Sequence, residues 1–383
     1  MDLREAANEF SIDKKQLLQE AQRVTAAMES GIKGETSSLS MLPSFLSLPE
    51  GDEKGEFFAL DFGGSNIRIA KVVLSDGEIK TKKHIKKNLK ELSSGLTGGT
   101  EELFEKIAVM INDFAEREDG YLGHTFSYPV LQTGVNDAKL KKWTKEINFS
   151  ESRDFDINGL LYDKLKALGR SGIKPSVILN DTTAVIMSTA YKCRCKNVIG
   201  SICGTGHNTC YYEPAKKMVL NLESGNFNPV CRNEFDILLD ERSFSKGEQL
   251  LEKMVAGDYL AKLVCIVMEK TGLDTSLYKV DTAKDVSDIL AYESHVLYPL
   301  ARNIVKRAAA LISAEYLGIY EYLEKNAAGF EIIAIDGSIY EKMPFFKNDM
   351  EYFLQTIFKK QLKIISGQGE SLNGAAVACA TLL

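Results

Sequence analysis

The sequence predicts an α/β protein built from a duplicated unit, and three observations carry that expectation. Residues 57–73, FFALDFGGSNIRIAKVV, and 198–214, VIGSICGTGHNTCYYEP, share one pattern: strand, glycine turn, strand, with an Asn on the outgoing side. Each is followed by a further strand and later by helices, as expected of one α/β unit per lobe. The chain is also long enough for two domains: 383 residues, 44% apolar and 26% charged, an ordinary globular composition.

In chain order, a lead-in helix is expected over 17–28, then a loop through 34–40 and the stretch MLPSFLSLPEGDEKGE. FFALDF, IRIAKVVL and IKTKKHI read as consecutive strands with a turn at Asp76–Gly77. Leu103, Ile107, Ile111 and Phe114 mark a helix with one apolar face. GHTFSYPV reads as a strand ending at Pro129, 157–168 as a helix and SVILN as a short buried strand. DTTAVIMSTAYK is a helix with Asp181 at its start, a usual capping type. The second strand group is VIGSICGTG, NTCYYEP and KMVLNLE. Long helices are expected over 245–269 and 287–324, a strand at FEIIAID, a helix over 345–360, a strand at LKIIS and a small-residue helix over 374–382.

Composition excludes several classes. A formal net charge of -6 lacks the positive field that nucleic acid demands. No apolar run reaches the ~20 residues of a membrane span, and the charged start, 1–14, has no signal-peptide core. The seven cysteines, 193, 195, 203, 210, 231, 265 and 379, form no CxxC pair, which points to reduced thiols in a cytoplasmic protein. Neither Cys193 with Cys195 nor the four histidines (84, 124, 207, 295) has zinc spacing.

The chemistry-bearing residues sit on turns and element ends. In DFGGSN, Gly63 and Gly64 let backbone approach a phosphate, Ser65 and Asn66 add donors, and Arg68 adds a fixed charge. Asp61 suits Mg²⁺ held through water. The turn is not a Walker loop, because GK[ST] is absent. Gly204, Thr205, Gly206 and Asn208 form the second such turn, and two matching turns suggest a clamp on one polyphosphate. Asn180–Asp181 lies where a buried strand meets a helix, whose dipole favours a carboxylate. Phosphoryl transfer to an alcohol needs an acceptor for the hydroxyl proton, and Asp181 suits that role as well as a plain helix cap. Thr144 and Lys145 offer a hydroxyl and an ammonium, although Lys141 and Lys142 nearby also fit a solvated basic face; Trp143 reads as packing. Glu223 and Glu252 are acceptors suited to sugar hydroxyls or ordinary surface carboxylates.

Taken in order, these pieces resemble the eukaryotic hexokinase family from about residue 41 to 383. The stretch through LDFGGSNIRI resembles the family's phosphate-binding entry, with Ser65 where Thr is usual. HTFSYPV resembles its sugar-binding TFSFP segment, KWTKEINF its WTKGF segment, LNDTTAV its NDT segment and GTGHNTCYYE its GTGxNACYxE segment. NLESGNF resembles NxEWGAF, and AIDGSIY resembles DGSxY. The resemblance implies an actin-like (ribonuclease H-like, duplicated) two-lobed kinase with a central cleft, closing over glucose and Mg-ATP. It implies phosphorylation of the sugar 6-hydroxyl as the first step of glycolysis, with Asp181 as base and Lys145 and Arg68 beside it. Sugar contacts would fall on Ser127, Tyr128, Thr144, Lys145, Asn180, Asp181, Asn208, Glu223, Gln249 and Glu252. Nucleotide contacts would fall on Asp61, Gly63, Gly64, Ser65, Asn66, Arg68, Gly204, Thr205, Gly206, Gly337, Ser338 and Ser371, with Asp61 also serving Mg²⁺. The expected lobes are 55–179 with 374–383 returning to it, and 180–373, with 1–54 packing on the larger one.

The chain departs from the family at Ser224 and Asn226 of NLESGNF and in the C-terminal Gly-Ser-Gly-Lys-Gly run, here GESLNGAA. There Ser371 survives while Glu370, Leu372 and Asn373 replace Gly, Gly and Lys. The stretch 268–288 is shorter than the family's. A sugar-binding relative with weak catalysis is the competing expectation.

Overall fold

A computed structural model describes residues 2–143, 147, 149, 154–367 and 369–383. The chain divides into two compact units. One, the mixed-sheet unit, comprises Leu42–Gly200, Cys210–Asn221 and Gly369–Leu383; the other, the helical unit, comprises Met1–Met41, Ser201–Thr209 and Leu222–Gln368. The expected boundary at 179/180 is not where the units part: the chain stays in the mixed-sheet unit through the helix Asp181–Cys193 as far as Gly200.

The mixed-sheet unit is organised by a five-stranded sheet in the order Glu78–Asn88, Asn66–Ser75, Gly55–Phe62, Gly120–Phe126, Ile173–Leu179. The first three strands are antiparallel, and Gly55–Phe62 then pairs parallel with Gly120–Phe126, which pairs parallel with Ile173–Leu179. Gly55–Phe62 is buried continuously from Phe57 onward, as a strand covered on both faces must be. Glu78–Asn88 is the edge, and its lysines keep that edge from pairing further. On one face the helix Gly99–Ala115 packs Leu103, Phe104, Ile107 and Ile111 onto Phe58, Leu60, Phe62 and Leu122. On the other lies the helix Glu370–Ala380, which also packs against Asp181–Cys193. Two glycines permit these approaches: a Cβ on Gly123 would fall 2.0 Å from the Ala375 oxygen, and one on Gly374 would fall 1.8 Å from that of Ala184.

The second sheet runs Leu42–Pro43, Met218–Asn221, His207–Glu213, Val198–Cys203, Ile332–Asp336, Lys363–Ser366. Apart from the two-residue Leu42–Pro43, its strands follow the same order as the first sheet, third-second-first-fourth-fifth in sequence, so the duplication read from two glycine turns extends to the topology. Strands Val198–Cys203 and His207–Glu213 each pass from one unit to the other along their length.

The helical unit is built on the largely buried helix Tyr298–Lys325. The N-terminal helix Lys14–Ile32 crosses it where Gly318 has no side chain: a Cβ there would sit 2.6 Å from the Ala21 oxygen. Thr25 Oγ1 donates to the Gly318 oxygen at 2.9 Å and holds the crossing.

Three expected helices are broken. The 245–269 stretch divides into Leu250–Val255 and Gly257–Thr271 because Ala256 is extended (φ -89°, ψ 151°). The 287–324 stretch divides into Ala283–Leu290 and Tyr298–Lys325, the second with Pro299 in its first turn, where a fixed φ and missing N–H suit a helix start. The 345–360 helix ends at Glu351 and gives way to a wider π-type turn, Tyr352–Ile357. The strand at GHTFSYPV ends at Phe126, ahead of a small hairpin, Val130–Gln132 with Ala138–Leu140, whose strands are too short for sequence alternation to mark. Among the described residues no helix is long and apolar enough to cross a membrane.

Candidate active-site residues

In the mixed-sheet unit the site begins where strands end. Asp61 is the penultimate residue of Gly55–Phe62 and faces Arg68 across the antiparallel pair, so the sheet register itself brings the two together. Arg68 donates from Nε to Asp61 Oδ2 at 2.7 Å and from Nη2 to Ser371 Oγ at 2.8 Å. The turn between the strands is closed by Gly63 N–H on the Asn66 oxygen at 3.0 Å, and the Ser65 oxygen accepts from Leu89 N–H at 2.9 Å. Asp61 is buried. Burial raises its carboxyl above the usual range, the Arg68 charge and hydrogen bond pull it back, and the charge of Asp181 raises it again.

Asp181 is the first residue of its helix, but the cap is Asn180, whose side chain accepts from Thr182 N–H at 2.9 Å and Thr182 Oγ1 at 2.6 Å. The capping task expected of Asp181 therefore falls to its neighbour. Asp181 Oδ1 accepts from Thr182 N–H at 2.8 Å, and Oδ2 accepts from Ser127 Oγ at 3.1 Å. Ser127 follows the strand Gly120–Phe126, held by its N–H on the Phe62 oxygen at 3.1 Å. Tyr128 lies in an aromatic cluster with Phe62, Phe126 and Trp143, at centroid distances of 5.4, 5.3 and 5.0 Å. Trp143 donates to Thr100 Oγ1 at 2.7 Å, in keeping with a packing role. Thr144 and Lys145 lie outside the described residues.

The altered C-terminal run is well anchored. The Ser371 carbonyl oxygen accepts from Thr125 Oγ1 at 2.9 Å, and its hydroxyl accepts from Arg68. Glu370 takes Lys192 Nζ on both oxygens, at 2.6 and 2.8 Å, and also Ser188 Oγ. Of the three replacements, Glu370 is an internal tie, while Leu372 is simply buried.

In the helical unit the turn Gly204–Gly206 is closed by Gly204 N–H on the Gly206 oxygen at 3.0 Å. Gly257 N–H donates to the Gly204 oxygen at 2.9 Å and Asp258 N–H to that of Thr205 at 3.3 Å, so the start of the helix Gly257–Thr271 carries the turn. Gly337 backs it with φ +135°, where a Cβ would lie 2.4 Å from the Cys203 carbonyl, and only glycine fits. Ser338 opens the helix that follows.

The second turn also gathers carboxylates. His207 N–H donates to Glu252 Oε2 at 2.8 Å. Asn208 Oδ1 accepts from Thr209 N–H at 2.8 Å and Ser224 N–H at 3.2 Å, while its Nδ2 donates to Glu223 Oε1 at 3.4 Å. Gln249 is tied by its N–H to Asn226 Oδ1 at 3.3 Å. Glu223 and Gln249 both take left-handed backbone (φ +52° and +54°), uncommon for side-chain-bearing residues and frequent at ligand sites. Asn208, Glu223 and Glu252 thus converge, and Asn226, a departure from the family pattern, supports Gln249. Sequence reasoning passed over His207 and its buried partner Glu315, 2.6 Å away. The one signal was a titratable residue inside a glycine turn.

Two α/β sheets of matching order, each headed by a glycine turn with carboxylates and donors beside it, define an actin-like kinase of the sugar-handling class. Two sequence-family profiles, both described as hexokinase, match residues 2–191 and residues 198–283 with 273–381. Hexokinase-1 of Arabidopsis thaliana is 30% identical over 96% of this chain and 87% of its own length. Hexokinase-1 of Rattus norvegicus is 28% identical over 99% of this chain, which spans only 48% of that protein. A solved structure of hexokinase from Schistosoma mansoni complexed with glucose superposes with a TM-score of 0.80 at 26% identity, covering 99% of this chain and 98% of that one. The chain belongs to the hexokinase family, the enzymes that phosphorylate hexoses.

Proposed function

We propose that the protein transfers the γ-phosphoryl group of Mg-ATP to the 6-hydroxyl of glucose, with Asp181 as general base. The oxygen of the 6-hydroxyl forms the new bond to phosphorus, the bond to the β–γ bridging oxygen breaks, and ADP leaves. The hydroxyl proton passes to the Asp181 carboxylate. The observation that carries this reading is the Ser127 hydroxyl donating to Asp181 Oδ2 at 3.1 Å. With Oδ1 on the Thr182 N–H and Oδ2 already accepting from an alcohol, this carboxylate is chemically suited to accept from a sugar alcohol at Oδ2.

Sugar hydroxyls would be taken by Ser127, Asn180, Asn208, Glu223, Gln249 and Glu252, with Thr144, Lys145 and Tyr128 contributing. The two glycine turns, Gly63–Asn66 and Gly204–Gly206, with Gly337, Ser338 and Ser371, would take the nucleotide. Arg68 and Lys145 would offset the charge on the transferring group.

Mg²⁺ suits Asp61 on a physical ground. Asp61 is buried, burial and the charge of Asp181 both work against its carboxylate form, and Arg68 is the cation that supports it; a water-bridged divalent ion would add a second such support. When bound, the ion neutralises phosphate charge.

A coupled assay with glucose and Mg-ATP tests the reading, with Asp181→Asn as the deciding variant. The substitution keeps shape and removes the proton acceptor, so kcat falls ~10²–10⁴-fold, the usual size of a general-base contribution. A fall of less than about tenfold removes Asp181 from that role.

A further inference from the structure

Beneath the second glycine turn lies an ionisable pair that no step above uses. His207 opens the strand His207–Glu213 and Glu315 lies on Tyr298–Lys325; they are 3% and 2% exposed. His207 Nε2 is 2.6 Å from Glu315 Oε2, and Nδ1 is 3.0 Å from the Ile202 oxygen. A carbonyl can only accept, so Nδ1 carries hydrogen. The contact to Glu315 then requires a second proton, on the imidazole or on the carboxyl. Burial disfavours a charged His207, but the charge of Glu315 and the hydrogen bonds that the ring donates to Glu315 and Cys203 outweigh it, and His207 is held well above the ordinary imidazole range. The other oxygen, Glu315 Oε1, is buried and has no hydrogen-bond partner among the described residues, so this carboxylate is committed to the histidine.

The ring is therefore pinned at both nitrogens, while the main chain of the same residue faces the proposed sugar carboxylates. Its N–H holds Glu252 Oε2 at 2.8 Å. Its carbonyl packs under Gly225, where a Cβ would come within 2.9 Å. The next residue, Asn208, reaches Glu223 and the N–H of Ser224. We propose that the His207–Glu315 pair is a positioning device for sugar recognition: it fixes the backbone from Gly206 to Asn208 so that Glu252 and Glu223 are oriented before sugar arrives. Neither residue of the pair touches the substrate. The inference rests on the reading of Glu223 and Glu252 as sugar acceptors. Its physical basis is preorganisation: side chains already held in the bound arrangement lose less freedom on binding.

Glu315→Gln is the sharp test. Glutamine keeps the shape and removes the charge: a neutral imidazole with its hydrogen on Nδ1 can still accept from the glutamine amide through Nε2, so the charge-assisted strength of that bond is what is lost. Kinetics would be measured well below each variant's Tm, alongside Glu252→Ala and Cys203→Ala. The last alters the packing beside the ring, where Cys203 Sγ lies 3.9 Å from Nδ1, and keeps both pinning contacts, Nε2 to Glu315 and Nδ1 to the Ile202 oxygen. Glu315→Gln should raise the glucose KM about 3–10-fold, the loss expected when a charge-assisted hydrogen bond becomes a neutral one, with kcat and the ATP KM nearly unchanged. Cys203→Ala should lower Tm without moving the glucose KM.

An unchanged glucose KM in Glu315→Gln overturns the proposal. If Glu252→Ala still raises KM, the sugar-site reading survives that result; if it too is silent, that reading falls as well. Equal KM increases in Glu315→Gln and Cys203→Ala would assign the effect to a loosened core and also overturn the proposal. Should Glu315→Gln not fold, the double variant His207→Gln with Glu315→Gln, which buries no charge, is judged by the same criterion.

Discussion

The two sheets share an order of strands and a glycine turn at the head of each, yet their turns are equipped differently. The first, after Asp61, carries its charges on the sheet register: Asp61 and Arg68 are cross-strand neighbours, and Asp181 adds a second carboxylate. The second, Gly204–Gly206, carries no charged side chain of its own and is supported by main-chain bonds, by Gly337 and by the buried His207–Glu315 pair. Its carboxylates arrive from elsewhere, Glu223 from the loop after Met218–Asn221 and Glu252 from the helix Leu250–Val255. Duplication supplied one shape twice. On the proposed assignments the carboxylates differ in task as well: the first copy holds the proposed proton acceptor, Asp181, and the second holds the proposed sugar acceptors Glu223 and Glu252.

Removing one carboxylate from each copy should break that comparison or sharpen it. Asp181→Asn should act on kcat, by the factor already given, and leave the glucose KM close to its starting value. Glu252→Ala should act on KM. Losing an ionised hydrogen-bond partner in a closed site costs about 1.5–3 kcal/mol, which is roughly tenfold or more in the glucose KM. Steady-state kinetics on both variants decide the matter. A Glu252→Ala enzyme that loses kcat with KM intact would mean that the division of labour is wrong.

A smaller effect separates the turns by pH. His207 has a raised folded-state pKa, so its contribution to stability is full below the ordinary imidazole value of about 6.5 and is lost as pH rises through the folded value. The groups facing the ring are Glu315 from the long helix and Cys203 from the adjoining strand, with Tyr316 bonded to Ser201 beside them. The Tm difference between the parent protein and Glu315→Gln should therefore be largest near pH 6 and shrink as pH rises above neutrality. A difference that is flat or growing over that range would show that the pair is not held by a proton.

How much of this was legible in the sequence follows from the range of each interaction. The glycine turns, their flanking strands and Asp61 opposite Arg68 are local, and a two-residue period with a turn declares them. Asp181 and its helix were also visible, but the fact that Asn180 caps that helix was not, because both are capping types and only backbone angles separate them. The break at Ala256 left no mark, since alanine is a strong helix former and the extended residue there is imposed by tertiary context. His207 and Glu315 stand 108 positions apart, and nothing in either neighbourhood announces the other. Ser371 was legible only as a nucleotide contact of the family; that its hydroxyl accepts from Arg68 needed the fold to return the C-terminal helix to the first sheet.

That last contact gives the smallest and most discriminating prediction. Arg68 is held by two acceptors of unequal strength, the charged Asp61 at 2.7 Å and the neutral Ser371 hydroxyl at 2.8 Å. Its side chain is 32% exposed, so water can replace a lost neutral partner, whereas buried Asp61 keeps the guanidinium in register. Ser371→Ala should therefore raise the ATP KM by no more than about threefold, the low end of a single hydrogen bond, and leave kcat and the glucose KM unchanged. Asp61→Asn, by contrast, removes the charge that fixes Arg68 and the group proposed to serve Mg²⁺, so it should shift the Mg²⁺ dependence of the rate as well as the ATP KM. Titrating Mg²⁺ at fixed ATP in both variants separates the cases. If Ser371→Ala moved the Mg²⁺ dependence as far as Asp61→Asn, Arg68 would be governed from the C-terminal helix, and the first turn would depend on distant support as fully as the second depends on Glu315.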